Sequence, residues 1–192
     1  MRKPRKLSAK VIYHVCARAN RQELILEDEQ IKMMLLDVIS QAKKKYNFLF
    51  RNFCIMGNHI HLEIEPCGDI SLSKIMQWIL SVFAIRYNRL FKYKGHVWYD
   101  RFKSKIIESF QQLINTFLYI ANNPVRAELV MHPLDFKYSG LHFYERGAPP
   151  GYRNLLDPIH KGLKPVITDH LAGYDIEIHK KADVLLSFQA KR

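Results

Sequence analysis

The sequence predicts an α+β fold built on one central antiparallel sheet with helices on one face. Three observations lead to this prediction. Four segments have the composition or the period-two alternation of strands, two longer segments between them have helical periodicity, and one more helical segment follows the last strand. The resulting order, β-α-β-β-α-β and then a helix, is that of the split ferredoxin-like β-α-β motif, whose first and third strands lie side by side at the centre. We therefore expect the third strand in the middle of the sheet and the last helix free to cross a sheet face.

Capping residues locate the helices. Asp28, Ser109 and either Ser71 or Ser73 each precede an apolar periodic segment, where a side-chain oxygen can accept hydrogen bonds from the first helical turn. Pro124 is expected to end the last helix or to bend it. The predicted helices are 29–46, 71–91 and 110–122, and the predicted strands are 11–17, 48–56, 59–65 and a segment within 96–107.

Charge and composition limit the class of partner. The 192 residues contain 30 Lys and Arg against 18 Asp and Glu, a formal net charge of +12. This excess predicts a polyanionic partner, with nucleic acid ahead of an anionic membrane surface. The longest uncharged apolar run, residues 75–85, is too short to cross a bilayer, and the three cysteines lack disulfide or zinc spacing. A cytoplasmic location is expected because no apolar signal core follows the basic N-terminus.

Two histidines alternate with apolar residues on the third predicted strand. His59 and His61 share one strand face with Glu63, and their backbones are about 6.5–7 Å apart, so both rings can converge on one divalent ion. Without further ligands the same pair is an ordinary polar outer face. Glu63 could orient one of the rings from outside, although an exposed carboxylate is the favoured interpretation.

A second pair of candidate residues lies on the last predicted helix. Tyr119 and Asn123 are four residues apart and so share a helix face. A tyrosine can attack a phosphodiester, and an Asn oxygen can complete a metal shell begun by two histidines. The alternative is that Tyr119 is a core aromatic and Asn123 a helix cap. The histidines elsewhere in the chain favour the functional interpretation.

Three motifs, taken together, resemble a known family. They are Asn58-His59-Ile60-His61-Leu62, Arg101-Phe102-Lys103-Ser104 and Tyr119-Ile120-Ala121-Asn122-Asn123-Pro124-Val125-Arg126-Ala127. In this order and spacing they resemble the single-tyrosine HUH transposases of insertion sequences, and within them the REP-associated tyrosine transposases. The resemblance covers about residues 11–144, and Tyr13-His14-Val15 fits it too. Ala19 and Asp100 depart from it, since relatives often have Gly at these places.

The resemblance implies a fold, a site and an activity. The fold would be that of HUH endonucleases, with the tyrosine on a C-terminal helix. His59, His61 and Asn123 would bind Mg²⁺ or Mn²⁺, and Tyr119 would be the nucleophile. The protein would cut and rejoin single-stranded DNA through a 5′-phosphotyrosine and would recognise hairpins formed by repetitive palindromic elements. Insertion-sequence relatives act as dimers and the REP-associated subgroup as monomers, which favours a monomer over a homodimer.

A second function remains open from the residues alone. A regulator on the same scaffold that binds DNA or RNA without cleaving it would explain the charge and the aromatic residues equally well. It would not need His59, His61, Tyr119 and Asn123 together. We therefore rank it below the transposase.

Basic side chains in several segments are expected to contact DNA. They lie in an N-terminal arm, after the first strand, among aromatics in the second half of the long helix, along the fourth strand and after the tyrosine. A solubilising tail or an amphipathic helix would also explain some of them. The expected DNA-binding residues are Arg2, Lys3, Arg5, Lys6, Arg18, Arg21, Arg86, Arg89, Lys92, Arg101, Lys103, Lys105 and Arg126.

A segment rich in Gly and Pro, residues 147–151, is expected to separate a transposase domain, residues 1–147, from an extension, residues 148–192. The segment 138–144 before it is expected to be extended. In the extension we expect a β-like run at 174–178, a helix from about Lys181 and surface histidines at 160, 170 and 179. The extension could pack against the core or enlarge the DNA-binding surface.

Overall fold

Four strands form one antiparallel sheet in a computed structural model that describes residues 11–175. The expected DNA contacts at Arg2, Lys3, Arg5 and Lys6, and the helix expected from about Lys181, lie outside the described residues. The strands are β1 (Ile12–Arg18), β2 (Phe48–Ile55), β3 (His59–Pro66) and β4 (Lys103–Ile107). Their order is β2-β3-β1-β4, so β1 and β3 are central and adjacent, as the sequence predicts.

The helices begin where capping residues predict them. Asp28 accepts hydrogen bonds from the N–H groups of Gln30 and Ile31, Ser71 accepts one from Lys74, and Ser109 accepts one from Gln112. Ser71 rather than Ser73 therefore caps the long helix. No helix within residues 11–175 is long and apolar enough to cross a membrane. The helices are α1 (Glu29–Lys45), α2 (Leu72–Phe91), α3 (Phe110–Ala121), α4 (Asn123–Arg126), α5 (Gly140–Glu145) and α6, residues 163–175.

The two faces of the sheet carry different helices because strand side chains alternate. On one face Ile60 and Leu62 of β3 belong to a core shared with α1 and α2. On the other face α3 crosses the sheet: Leu113 packs near Ile12 and Ile107, whereas Ile120 packs against Cys54 and Met56. This second face carries the alternate side chains of β3, which include His59 and His61.

Two segments differ from the sequence prediction. Residues 138–144 were expected to be extended, but most of them form α5, because Ser139 caps a helix and Gly140 lies directly against β2. A Cβ at Gly140 would stand 2.3 Å from Oδ1 of Asn52. Tyr174 and Asp175, expected in a β-like run, are helical in α6.

The described part of the extension packs against the core. Tyr152 and Leu155 join the core under α1 and α2, whereas Leu163 and Ile167 join the cluster under α3. The carboxylate of Asp157 forms an ion pair with Lys43 and accepts a hydrogen bond of 2.7 Å from the N–H of Phe50. One of the expected surface histidines, His170, is instead partly buried, with Nε2 3.0 Å from Oδ1 of Asn122.

Candidate active site

The two histidines of β3 lie side by side at the start of the strand. β3 begins at His59, directly after the turn at Gly57 and Asn58. The ring centroids of His59 and His61 are 5.0 Å apart, and Ile60 between them is fully buried on the opposite face. The strand is thereby held by its apolar face while both imidazoles point towards α3.

Tyr119 and Asn123 approach the histidines from the helix side. The ring centroid of Tyr119 lies 5.5 Å from that of His61, and 42% of the tyrosine is exposed. Tyr119 is therefore not the core aromatic of the alternative interpretation, because its fully buried neighbour Ile120 makes the packing contacts. The side chain of Asn123 donates a hydrogen bond of 2.8 Å to the carbonyl oxygen of Tyr119 and also hydrogen-bonds His59. The structure thus brings the four candidate residues to one place.

Both imidazoles are neutral at neutral pH. Burial, together with the smaller effects of the charges of His14, His59 and Arg18, lowers the pKa of His61 to about 3. Burial also lowers the pKa of His59, with Arg18 adding to the effect and the hydrogen bond to Asn123 opposing it. Neutral imidazole is the form that binds a metal ion.

In each candidate ligand one polar atom is held by a hydrogen bond to another group of the protein. Nδ1 of His59 lies 2.7 Å from Oδ1 of Asn58, and Nδ1 of His61 lies 2.9 Å from Nε2 of His14. The amide nitrogen of Asn123 is engaged with the carbonyl of Tyr119. The possible ligand atoms are Nε2 of each histidine and Oδ1 of Asn123, with Asn123 and His59 also hydrogen-bonded to each other.

This donor set fits a divalent metal ion. Imidazole nitrogen suits transition metals and amide oxygen suits harder cations such as Mg²⁺ and Mn²⁺. Residues 11–175 contain no group of three or more His, Cys, Asp or Glu side chains placed to hold a metal ion. A three-ligand site on this face therefore depends on the amide oxygen of Asn123.

His14 on β1 is a neighbour of the site that the sequence analysis did not select. Its ring centroid is 5.1 Å from that of His61 and 5.9 Å from that of Tyr119. Because β1 pairs with β3, Cys16 lies opposite His61 and His14 lies opposite Glu63. The sequence did contain a signal for this proximity. If the first and third strands are adjacent, alternate polar residues of both strands lie on the same face of the sheet.

Glu63 is buried, so the expectation of an exposed carboxylate is wrong. It is 1% exposed, and its Oε1 has no hydrogen-bond partner among the described residues. Burial raises the pKa of Glu63 to about 8, against the opposing charge of Arg51. It borders a small cavity of about 100 Å³ beneath α6. Nδ1 of His61, the nitrogen that an outer partner of a metal ligand would contact, lies beside His14 and not beside Glu63.

Four of the expected DNA-binding residues surround the site. Arg18 pairs with His59 in the β1–β3 register, while Lys103 and Lys105 of β4 pair with Cys16 and His14. The guanidinium carbon of Arg126 is 5.7 Å from the ring centroid of Tyr119. These cations form a positive rim around the histidines and the tyrosine.

The other expected residues lie further away. Three of them lie in the last turns of α2 or directly after it, on the opposite face of the sheet: Arg86, Arg89 and Lys92. Arg86 also donates a hydrogen bond to Gln41 of α1. Two more, Arg21 and Arg101, are exposed in two loops. Backbone hydrogen bonds join these loops to each other just beyond Arg18, at the end of β1. The structure therefore divides the expected basic surface into a rim around the site, these two loops and a separate patch on α2.

Comparison with known families gives the class of protein. The family model described as "Transposase IS200 like" matches residues 8–123, which include His59, His61 and Tyr119 and end at Asn123. The chain belongs to this family. It is an IS200-like transposase, an enzyme that cleaves and transfers DNA, and the resemblance stated from the three motifs is confirmed.

One solved structure supports this fold, and a second is similar over part of the chain. A REP-associated tyrosine transposase bound to a REP hairpin is 21% identical to the IS200-like chain, with a TM-score of 0.65 over 78% of this chain and 88% of that chain. A putative transposase from Deinococcus radiodurans is 19% identical, with a TM-score of 0.44 over 64% of this chain and 97% of that chain. The comparison with curated proteins gave no match.

Proposed function

We propose that this IS200-like transposase cuts and rejoins single-stranded DNA through a phosphotyrosine at Tyr119. A divalent metal ion, Mg²⁺ or Mn²⁺, would be held by His59, His61 and Asn123. The observation that carries the proposal is the exposed phenol of Tyr119 beside two neutral imidazoles, with ring centroids of Tyr119 and His61 5.5 Å apart.

The positive rim would bring the scissile phosphate to the site. Arg18, Lys103, Lys105 and Arg126 can contact phosphate oxygens, which orients the strand without reading its sequence. A single strand suits the site because its phosphate can be turned towards Tyr119 without opening a duplex. Hairpin DNA of the REP type is the proposed partner, supported by the hairpin bound to the similar REP-associated transposase.

The chemical step is an exchange of phosphodiester partners. The phenol oxygen of Tyr119 attacks phosphorus in line, the bond to the 3′ oxygen breaks, and the 5′ phosphate becomes joined to the tyrosine. The phenol loses its proton and the departing 3′ oxygen gains one. When bound, the metal ion would supply Lewis-acid polarisation of the non-bridging phosphate oxygens.

The same site can reverse the cut. A 3′-hydroxyl that attacks the phosphotyrosine restores a phosphodiester and frees Tyr119, so rejoining needs no ATP. Tyr119 reaches the histidines of its own chain, with its ring centroid 5.5 Å from that of His61. We therefore propose that Tyr119 acts in cis and that the active unit is a monomer.

The test is a covalent-adduct assay with hairpin DNA from repeats that flank the gene. Because the protein would join the 5′ phosphate of the downstream fragment, a label at the 3′ end should migrate with protein on a denaturing gel. A label at the 5′ end should appear in a short free fragment. Adduct should form with Mg²⁺ or Mn²⁺ and disappear in chelator, in Tyr119→Phe and in His59→Ala.

A matched control separates the nucleophile from other tyrosines. Tyr99 is 73% exposed and lies on the loop after α2, so Tyr99→Phe should still form adduct. If the wild type binds several flanking hairpins but forms no adduct with either metal, the protein is a non-cleaving binder and the proposal is wrong.

A further inference from the structure

A pair of histidines on neighbouring strands shares one hydrogen between two ring nitrogens. Nε2 of His14 is 2.9 Å from Nδ1 of His61, and the two rings are stacked with an interplanar angle of 26°. His61 is only 4% exposed. A neutral imidazole carries one N–H, so only one of these two nitrogens can be the donor.

The direction of this hydrogen bond decides whether His61 can bind a cation. If Nδ1 of His61 donates, its Nε2 keeps an electron pair that can bind a cation. If Nε2 of His14 donates, His61 carries its own hydrogen on Nε2, and that nitrogen cannot be a ligand. The partner on β1 therefore controls the chemistry of the ligand on β3.

The other histidine shows the same arrangement with a different partner. The side chain of Asn58 donates through Nδ2 to the carbonyl oxygen of Gln22, so its Oδ1 faces Nδ1 of His59 and can only accept. His59 can then donate from Nδ1, which leaves Nε2 without hydrogen. His14 occupies the equivalent position next to His61.

We propose that His14 is a positioning residue for the transposase reaction: its Nε2 accepts the Nδ1–H of His61 and so keeps Nε2 of His61 available to the metal ion. This inference rests on the proposed function, since it assumes that His61 is a ligand. It adds a residue from β1 to a site otherwise built from β3, α3 and α4. This role differs from side-chain packing because it requires a hydrogen-bond acceptor at the position of Nε2 of His14.

The first experiment measures Mn²⁺ binding to the full chain without DNA, by electron paramagnetic resonance of the unbound ion. His14→Leu removes the acceptor and should weaken binding by roughly 10–100-fold, the usual effect of losing an outer partner of a ligand. His14→Gln, whose side-chain oxygen can accept at similar reach, should bind nearly as the wild type does. His96→Leu, at an exposed histidine in the loop after α2, should leave binding unchanged.

His61→Ala separates failure of the inference from failure of the proposed function. If the wild type shows no strong Mn²⁺ site, or if His61→Ala retains it, the proposed metal site itself is wrong. If His61→Ala loses the site but His14→Leu binds as tightly as the wild type, only the role of His14 is overturned. It is also overturned if His14→Gln is as weak as His14→Leu.

The second experiment needs no substitution at His14, so it holds even if a variant does not fold. Nitrogen NMR of the metal-free wild type, with ¹⁵N-labelled histidine, reports which ring nitrogen carries hydrogen. We expect the hydrogen of His61 on Nδ1 and Nε2 of His14 without hydrogen. A hydrogen on Nε2 of His61 would overturn the inference.

Discussion

The candidate site depends on which atom of each side chain is already engaged. His59, His61 and Asn123 each use one polar atom in a hydrogen bond within the protein, Asn123 and His59 are also hydrogen-bonded to each other, and all three lie in the space beside Tyr119. Pre-orientation of this kind lowers the entropy lost when an ion binds, because the ligands do not need to be ordered at that moment. The exposed phenol lies in the same space.

At the scale of single residues, the proposed role of the amide oxygen of Asn123 as a metal ligand leads to a direct prediction. Asn123→Ala should raise the Mn²⁺ concentration needed for half-maximal adduct formation by about tenfold or more, because one ligand is lost. Asn123→Asp keeps an oxygen and adds a negative charge, so it should need no more metal than the wild type. Metal titrations of adduct yield test both variants. An Asn123→Ala protein with an unchanged metal requirement would remove Asn123 from the ligand set.

Single residues also show what the sequence could and could not reveal. The pairing of His59 with His61 followed from strand periodicity, and Tyr119 with Asn123 followed from helical spacing. The burial of Glu63 did not follow, because nothing local distinguishes an outward strand face from one covered by α3 and α6. His14 was missed because its proximity to His61 arises from strand pairing, which joins residues 47 positions apart.

At the scale of elements, helix α3 matters most because it carries Tyr119 across the sheet. Ser109 accepts a hydrogen bond from the N–H of Gln112 at its first turn, and Phe117 and Ile120 are fully buried along its inner side. The position of the nucleophile therefore depends on a cap at one end and on packing at the other.

The cap of α3 should contribute measurably to stability. Ser109→Ala should lower the free energy of unfolding by about 0.5–2 kcal/mol, because the N–H of Gln112 loses its acceptor. Ser109→Asp, which also caps, should cost much less. Urea unfolding of both variants tests this, and an unchanged midpoint for Ser109→Ala would show that the cap does not stabilise the fold.

Helix α5 shows why composition failed where capping succeeded. The aromatic residues of 138–144 favoured an extended segment, yet Ser139 caps a helix there and Gly140 lies against β2. Caps at Asp28, Ser71 and Ser109 were recognised because apolar periodicity follows each of them over several turns. Six residues, the length of α5, are too few for that periodicity to be seen.

Gly140 should therefore tolerate no side chain. Gly140→Ala places a Cβ 2.3 Å from Oδ1 of Asn52 and 3.0 Å from the backbone nitrogen of Phe53, so it should destabilise the protein by about 1–3 kcal/mol. Gly173→Ala is the matched control. That glycine is helical with nothing within 4 Å, and the substitution should be neutral or stabilise by up to about 1 kcal/mol. Equal melting temperatures for the two variants would contradict the packing described here.

At the scale of the whole molecule, residues 148–175 contribute to the same core as the sheet. Asp157 is held by Lys43 and by the backbone of β2, and α6 packs beside the helix of the nucleophile. The sequence indicated a linker at 147–151 and left open whether the extension packs on the core. Local sequence pattern could not decide whether the extension packs on the core. The contacts of such a segment depend on surfaces that form elsewhere in the chain.

The packing of α6 gives a prediction about stability. Leu163→Ala, at a residue 2% exposed, should lower the free energy of unfolding by about 2–5 kcal/mol through lost burial and a new cavity under α3. Its neighbour Lys164 is exposed, so Lys164→Ala should change the free energy of unfolding by less than about 0.5 kcal/mol. Denaturant unfolding measures both. If Leu163→Ala is no worse than Lys164→Ala, α6 does not pack on α3 as the structure has it.

The most direct test of the central claim is the identity of the residue that DNA modifies. The adduct formed with a hairpin substrate and Mn²⁺ would be digested with protease and nuclease, and the modified peptide sequenced by mass spectrometry. We predict a peptide that contains Tyr119 joined through its phenol oxygen to a 5′ phosphate. A phosphodiester on any other residue, or cleaved DNA with no modified peptide, would contradict the account.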